Sequence, residues 1–300
     1  MGHGIGIRFA MHGFRVFVYG KSNASIKRAE IRIDKTFALL NDLNVITPDR
    51  QLEIQDNMTL TTNLKTSVGH ADLIIESITE DVILKQDLFQ EISGLSKPTA
   101  ILTSNTSSIM PKIVFAKIPN KNAVAVTHYI NPAVLVPLVE IVKHNDTTEN
   151  TVGQLTYLLK ASGSEPIIIK KETPGFVTSR LQSALLREAL WLVENKIASP
   201  GDIDKAISHG LGRRWSAAGI FEILELAGWD LISIISSNLF PYLSKSETPN
   251  LLNQKVKYNE IGVKTKKGFY EWTDESIDQL KYKIAKRLVE TQNWDKENPQ

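Results

Sequence analysis

The chain has 300 residues, 42% of them hydrophobic and 23% charged, an ordinary globular composition at a length that suits two domains. Its 35 basic and 33 acidic residues nearly balance at +2 and are scattered, which excludes the basic footprint of a nucleic-acid partner or a polybasic membrane surface. There is no cysteine, which excludes disulfides, thiolate metal sites and a cysteine nucleophile, and no metal is expected.

Taken in chain order, Met1-Gly2-His3-Gly4-Ile5-Gly6 has neither the charged nor the apolar region of a signal peptide. No later apolar run approaches the roughly 20 residues that span a bilayer, so a cytoplasmic protein is expected. Ile5–Met11 reads as a short helix, and Val16–Tyr19 as a β-branched and aromatic strand ending at Gly20. From Ile26 to about Leu43, Ile31, Ile33, Phe37 and Leu40 recur at helical spacing, with Ser25 placed as N-cap. Leu73-Ile74-Ile75 is a compact apolar run closed by Glu76, and Val82–Leu95 is helical. Ala100–Thr103, Ala123–Val126, Val136–Val142 and Ile167–Ile169 are further strand candidates. Continuous rather than alternating apolar runs, separated by helices, predict βαβ units and a doubly wound parallel sheet.

The pattern changes at Glu172-Thr173-Pro174-Gly175, after which strand signals vanish. Phe176–Val193 reads as a long helix. Ser199-Pro200-Gly201-Asp202 has the form of a helix start, with Gly210 placed as its stop. Helices over about Ile220–Leu226 and Leu231–Leu239 and from about Ser276 complete an all-helical part, its polar tail fraying after Asn293. The expected division is a dinucleotide-binding domain over 1–172 and a helical domain over 173–300.

Three features carry chemistry. Gly2, Gly4 and Gly6 open a helix that precedes a strand; they suit either a flexible start or a phosphate cradle. Ser104-Asn105-Thr106-Ser107-Ser108 follows a strand, where doubly wound sheets bind ligands, although for any one of the five a turn or capping role is the readier account. His128, in Thr127-His128-Tyr129-Ile130-Asn131-Pro132, lies twelve residues before Glu140. A carboxylate inside the apolar run Val136–Val142 is costly to bury unless paired. It therefore predicts a partner, and His128 suits it: a His–carboxylate pair fixes the imidazole tautomer for general base catalysis.

Taken together, Met1–Ala10, Ala71–Phe89, Ser104–Ser108, His128–Val142, Glu172–Leu181, Ala198–Ala206 and Gly262–Trp272 resemble, in order, the motifs of the 3-hydroxyacyl-CoA dehydrogenase family. The resemblance implies a Rossmann-type domain followed by a helical domain, a dimer through the helical domain, and NAD as cofactor. It implies His128 as the catalytic base with Glu140 as its carboxylate partner, Ser107 bonding the substrate oxygen, and Asn131 beside nicotinamide and substrate. Gly2, Glu80, Lys85 and Lys264 match cofactor-contacting positions. The activity implied is reversible oxidation of an L-3-hydroxyacyl-CoA to the 3-keto compound. The alternatives are a dehydrogenase of a free 3-hydroxy acid of gulonate or carnitine type and a catalytically idle cofactor-binding relative.

Four departures bear on this expectation. The family pattern begins with a strand and two further glycines before a Met-Gly that matches Met1-Gly2; without them the sheet lacks its first strand, and a form extended upstream is expected to bind cofactor more tightly. The acid that ends the second strand in the family is Gly20 here, followed by Lys21 and Ser22, which predicts that NADP is accepted as well as NAD. Ser179 stands where the family has an active-site asparagine, with Arg180 retained. Gly210-Leu211-Gly212-Arg213-Arg214-Trp215-Ser216 resembles the free hydroxy acid branch, and Arg213 or Arg214 is a candidate to pair with a substrate carboxylate.

Overall fold

The computed structural model describes residues 1–297, with the backbone alone for Lys296. Seven strands form in the first part of the chain: β1 (Val16–Tyr19), β2 (Met58–Thr61), β3 (Leu73–Glu76), β4 (Ile101–Ser104), β5 (Val124–Tyr129), β6 (Leu138–Lys143) and β7 (Glu165–Ile169). β1 and β2 are a parallel pair, and the rest form one sheet in the order β3-β4-β5-β6-β7. Among the described residues no ladder joins the two sheets. β3, β4 and β5 are parallel, but β6 runs antiparallel to β5, and β7 parallels β6. The expected doubly wound sheet is found, with one antiparallel neighbour, β6 against β5. The cause is length: residues 130–137 are too few for a parallel crossover, which takes about a dozen or more.

The sheet explains the unbroken apolar runs. Every residue of β4 and β5 is buried. Successive side chains point to opposite faces, so Ile101, Ala125, Val139 and Ile141 pack on one side with Ile5, Phe9, Leu155 and Leu159 of the helices Gly2–Met11 and Glu149–Ala161. Leu102, Val124, Val126 and Val142 pack on the other with Phe89, Val114 and Phe115. The Phe89 and Phe115 rings meet edge to face at 4.8 Å. A third cluster joins Ile7, Phe37, Leu40 and Leu135 to Ala285, Leu288 and Val289 of the last helix.

Two compact units result: Met1–Arg180 with Ala285–Glu290, and Leu181–Ile284 with the residues after Glu290. By contacts the two units meet inside the helix Thr178–Glu194, and Phe176 is fully buried in the first unit's core. The second unit is helical, with Pro200–Ala206, Ile220–Glu225, Trp229–Leu239 and Asn250–Lys257. Its last helix, Asp274–Glu297, runs on where fraying after Asn293 was expected.

Local expectations fail at two caps. Ser22, not Ser25, begins the helix Asn23–Asp42: its hydroxyl accepts from Ser25 N at 3.2 Å while Ser25 Oγ accepts from Ser22 N at 3.0 Å. Gly210 does not stop the helix that begins under the Ser199 cap. The backbone widens into a π turn over Ile207–Leu211 and continues through Gly212–Trp215. A Cβ on Gly212 would lie 2.9 Å from Ile207 O, so glycine is what this wider turn accommodates.

Candidate active site

The antiparallel register places His128 of β5 directly opposite Glu140 of β6. His128 Nδ1 lies 2.6 Å from Glu140 Oε2, and the side chains are 9% and 0% exposed. The carboxylate accepts at Nδ1, which places the imidazole proton there and leaves Nε2 as the nitrogen able to take a proton. The Phe176 ring stands 5.8 Å from the imidazole, centroid to centroid.

Glu140 has further donors that the sequence did not announce. Its Oε1 accepts from the backbone N–H groups of Val177 and Thr178, both at 2.9 Å, and its Oε2 accepts from Thr178 Oγ1 at 2.7 Å. These are the open N–H groups at the start of the helix Thr178–Glu194, which a negative charge satisfies. The chain turns into that helix through Gly175 at φ 78°, where a Cβ would press on Arg180 Cγ at 3.3 Å, and Phe176 at φ 52°. Burial pushes the Glu140 carboxyl up, but the bonds from His128, Thr178 and Val177 outweigh it and hold the group below the usual carboxylate range.

The polar run after β4 separates into supports and one unoccupied hydroxyl. Ser104 Oγ donates to Glu76 Oε2 at 2.6 Å. Asn105 Oδ1 accepts from Tyr129 N at 2.8 Å, tying this loop to the end of β5. Thr106 and Ser108 hydroxyls both donate to Glu80 Oε1, Ser108 at 3.1 Å. Ser107 is exposed, and its side chain has no hydrogen bond among the described residues. Asn131, after β5, is likewise exposed with its amide unbonded. The loop that follows it is pinned by Arg8, whose buried guanidinium donates to Ala133 O and Gly163 O at 2.6 Å and to Val136 O at 3.0 Å.

Lys85 is 1% exposed and its ammonium lies 2.7 Å from Glu76 Oε1 and 3.4 Å from Glu80 Oε2. It reaches the open end of the strands only through Glu80, which is 41% exposed. Partial burial pushes the Glu80 carboxyl up; the Thr106 hydroxyl, Lys85 and Ser108 together hold it below its ordinary value. Glu76 was not picked out from sequence, yet it also accepts from Ile78 N at 2.6 Å and is the hub of this network. Its signal was available: a charged residue closing the apolar run of β3 needs a partner.

Gly2 opens the helix Gly2–Met11, which has no side-chain cap. At the end of β1, Gly20 N donates to Thr61 O at 3.1 Å, and a Cβ there would lie 2.6 Å from Ser25 Oγ and 3.0 Å from Ile26 Cδ1, side-chain ends that would turn aside for a larger residue. Lys21 beside it is exposed. Ser179 is half-buried, immediately after Thr178, and its hydroxyl has no partner among the described residues. Lys264, Arg213 and Arg214 belong to the second unit. All three are exposed without a carboxylate partner among the described residues, whereas Lys267 is paired with Glu260 at 3.0 Å.

Residues 1–173 match the family model described as 3-hydroxyacyl-CoA dehydrogenase, NAD binding domain, and residues 175–272 match the C-terminal domain of the same family. A 5-formyl-3-hydroxy-2-methylpyridine 4-carboxylate 5-dehydrogenase of Mesorhizobium japonicum is 30% identical over 290 residues, covering 96% of this chain and 93% of that protein. An L-carnitine dehydrogenase of Oceanobacillus iheyensis is 30% identical over 294 residues, with the same coverage of 96% and 93%. The crystal structure of the pyridine carboxylate dehydrogenase, described as an NAD+ dependent dismutase, superposes with a TM-score of 0.90 over 97% of this chain and 94% of that one, at 30% identity.

Proposed function

The chain belongs to the 3-hydroxyacyl-CoA dehydrogenase family, NAD-binding oxidoreductases that act on CH–OH, and we propose that it oxidises the 3-hydroxyl of a small hydroxy acid with His128 as general base. The observation that carries this reading is the 2.6 Å contact between His128 Nδ1 and the buried Glu140 carboxylate.

The donor set suits a dinucleotide. Ser107, Asn131 and Glu80 gather at the carboxyl ends of the parallel strands, and the uncapped helix start at Gly2 presents N–H groups that a pyrophosphate accepts. Bound there, NAD supplies the acceptor for the hydride. His128 Nε2 takes the hydroxyl proton, and Glu140 stabilises the imidazolium that forms. Ser107 and Asn131 hold the substrate oxygen. Ser179 offers one hydroxyl at the helix start where an asparagine offers a carbonyl and an amide. Lys85 acts on the cofactor side by holding Glu80 in place, and Lys264 keeps its assignment as a cofactor contact on resemblance alone. Gly20 in place of an acid removes a repulsion against a 2′-phosphate and Lys21 beside it adds a cation, so NADP is accepted beside NAD.

A CoA thioester was the first expectation. We place the free acid ahead of it because two relatives 30% identical over nearly the whole chain are named for a pyridine carboxylate and for L-carnitine. Arg213 or Arg214 is the candidate partner of the substrate's carboxylate. A homodimer through the helical unit is part of the same reading. The helix Thr178–Glu194 has no buried residue, and Phe221, Leu226 and Tyr242 are 72%, 90% and 76% exposed, so an apolar surface there awaits cover.

The test is turnover of free 3-hydroxybutyrate, L-carnitine and 3-hydroxybutyryl-CoA with each nicotinamide cofactor. His128→Gln is expected to abolish whichever activity is found. Unchanged activity in that variant would overturn the reading, and turnover of the thioester alone would return CoA to first place. Cofactor binding without turnover of any member of the panel would favour the idle relative.

A further inference from the structure

Glu140 Oε2 is shared. It accepts from His128 Nδ1 at 2.6 Å and from Thr178 Oγ1 at 2.7 Å, while Oε1 is held by two backbone N–H groups. The second oxygen therefore has one donor that is the imidazole and one that is a rotatable hydroxyl. A carboxylate oxygen divided between two donors gives less of its charge to each, and a removed donor returns that charge to the other.

We propose that Thr178 is a positioning residue of the pair: by donating to the same Glu140 oxygen as His128, it fixes that oxygen and sets the pH range over which the pair works. The inference rests on the reading of His128 as the base. Burial pushes the Glu140 carboxyl up, and this hydroxyl is among the groups that hold it below its ordinary value nonetheless, after the His128 bond and the Thr178 N–H.

The surroundings isolate this effect. In the sheet Glu140 is flanked by His128 on β5 and by Ile167 on β7. On the elements packed over that face, the helices Leu64–Val68, Val82–Leu95 and Pro111–Val114 and the turn into Thr178, the charged side chains are Lys65, Lys85, Asp87, Glu91, Lys112, Glu172 and Arg180. Glu172 Oε2 accepts from Lys112 N at 3.5 Å and Arg180 Nη1 donates to Pro174 O at 3.4 Å. His128 is the titratable group bonded to Glu140.

The experiment compares Thr178→Val and Thr178→Ser with the parent protein. Valine keeps the shape and both backbone donors while removing the hydroxyl; serine restores it. Two quantities are read: the Glu140 carboxyl titration by 13C NMR, which needs no turnover, and the acid limb of the kcat/KM profile on whichever substrate of the panel is accepted. In Thr178→Val both are expected to move to higher pH by about half a unit or more, because a stabiliser of the charged form is gone. In Thr178→Ser both return to the parent's position, and KM for NAD is the same in all three. Superposition of the valine variant on the parent in both measurements would overturn the proposal. Retained activity in His128→Gln would instead remove the catalytic reading, while the Glu140 titration would still report on Thr178.

Discussion

Glu140, fully buried in β6, accepts His128 Nδ1 at 2.6 Å across an antiparallel register that sets the two residues face to face. The imidazole is thereby oriented by a group that is itself fixed by three further hydrogen bonds. The imidazole is placed by the sheet and by the next helix start together.

Replacing Glu140 by Gln keeps the volume but removes the charge that stabilises the imidazolium and leaves one acceptor oxygen for donors that two now share. We expect turnover to fall by on the order of 10³-fold or more, with KM for NAD little changed. The variant also changes the acid limb of stability. The carboxyl is held below its unfolded value, so its contribution is complete above the unfolded pKa and is lost as pH falls through the folded one. Thermal melts from neutral pH down into the acid range should therefore decline more steeply for the parent than for Glu140→Gln. Parallel declines would show that the pair contributes nothing to stability.

Lys85 and Glu76 form a buried ion pair at 2.7 Å, with side chains 1% and 0% exposed. Lys85→Met leaves the Glu76 charge with only Ile78 N and Ser104 Oγ, and should cost about 3 kcal/mol in urea unfolding. Glu76→Met combined with Lys85→Met should cost less than Lys85→Met alone. Additive losses in the double-mutant cycle would mean that the two charges do not interact.

Lys21 follows Gly20 at the end of β1, so that turn carries a cation and no acid. Lys21→Ala should lower kcat/KM with NADP by about tenfold and leave the value with NAD within about twofold. Strict NAD preference in the parent protein would refute the assignment.

The exposed apolar faces of the second unit predict association. Light scattering should give twice the chain's 33.5 kDa, and Leu226→Glu, at a position 90% exposed in the single chain, should shift the equilibrium towards monomer. A parent that scatters as a monomer at micromolar concentration would remove the dimer from the reading.

Much of this protein is legible in its sequence. Val16–Tyr19 and Val82–Leu95 form the predicted strand and helix with the predicted ends, and β3 to β7 arise where continuous apolar runs stand. Those runs are readable because a strand covered on both faces requires apolar residues at every position. The ordered motifs also carried the family, which the comparisons show. β2 and the helices Pro48–Asp56 and Glu149–Ala161 are not legible in the same way, because their apolar residues are few or one-sided and their caps look like loop residues.

The site divides along the same line. A lone carboxylate in an apolar run was enough to predict that Glu140 has a partner, since an unpaired buried charge is too costly to keep. The sequence also named the residue types that gather after β4 and β5. Which oxygen His128 meets, and that Val177 and Thr178 complete the carboxylate's shell, was decided only in three dimensions. The same holds for the separation of Ser107 from its four neighbours and for the burial of Lys85 against Glu76. Hydrogen bonds between residues tens of positions apart depend on strand direction, register and the angle at which a helix begins. No local pattern encodes those, whereas burial and periodicity act residue by residue and leave their mark in the chain itself.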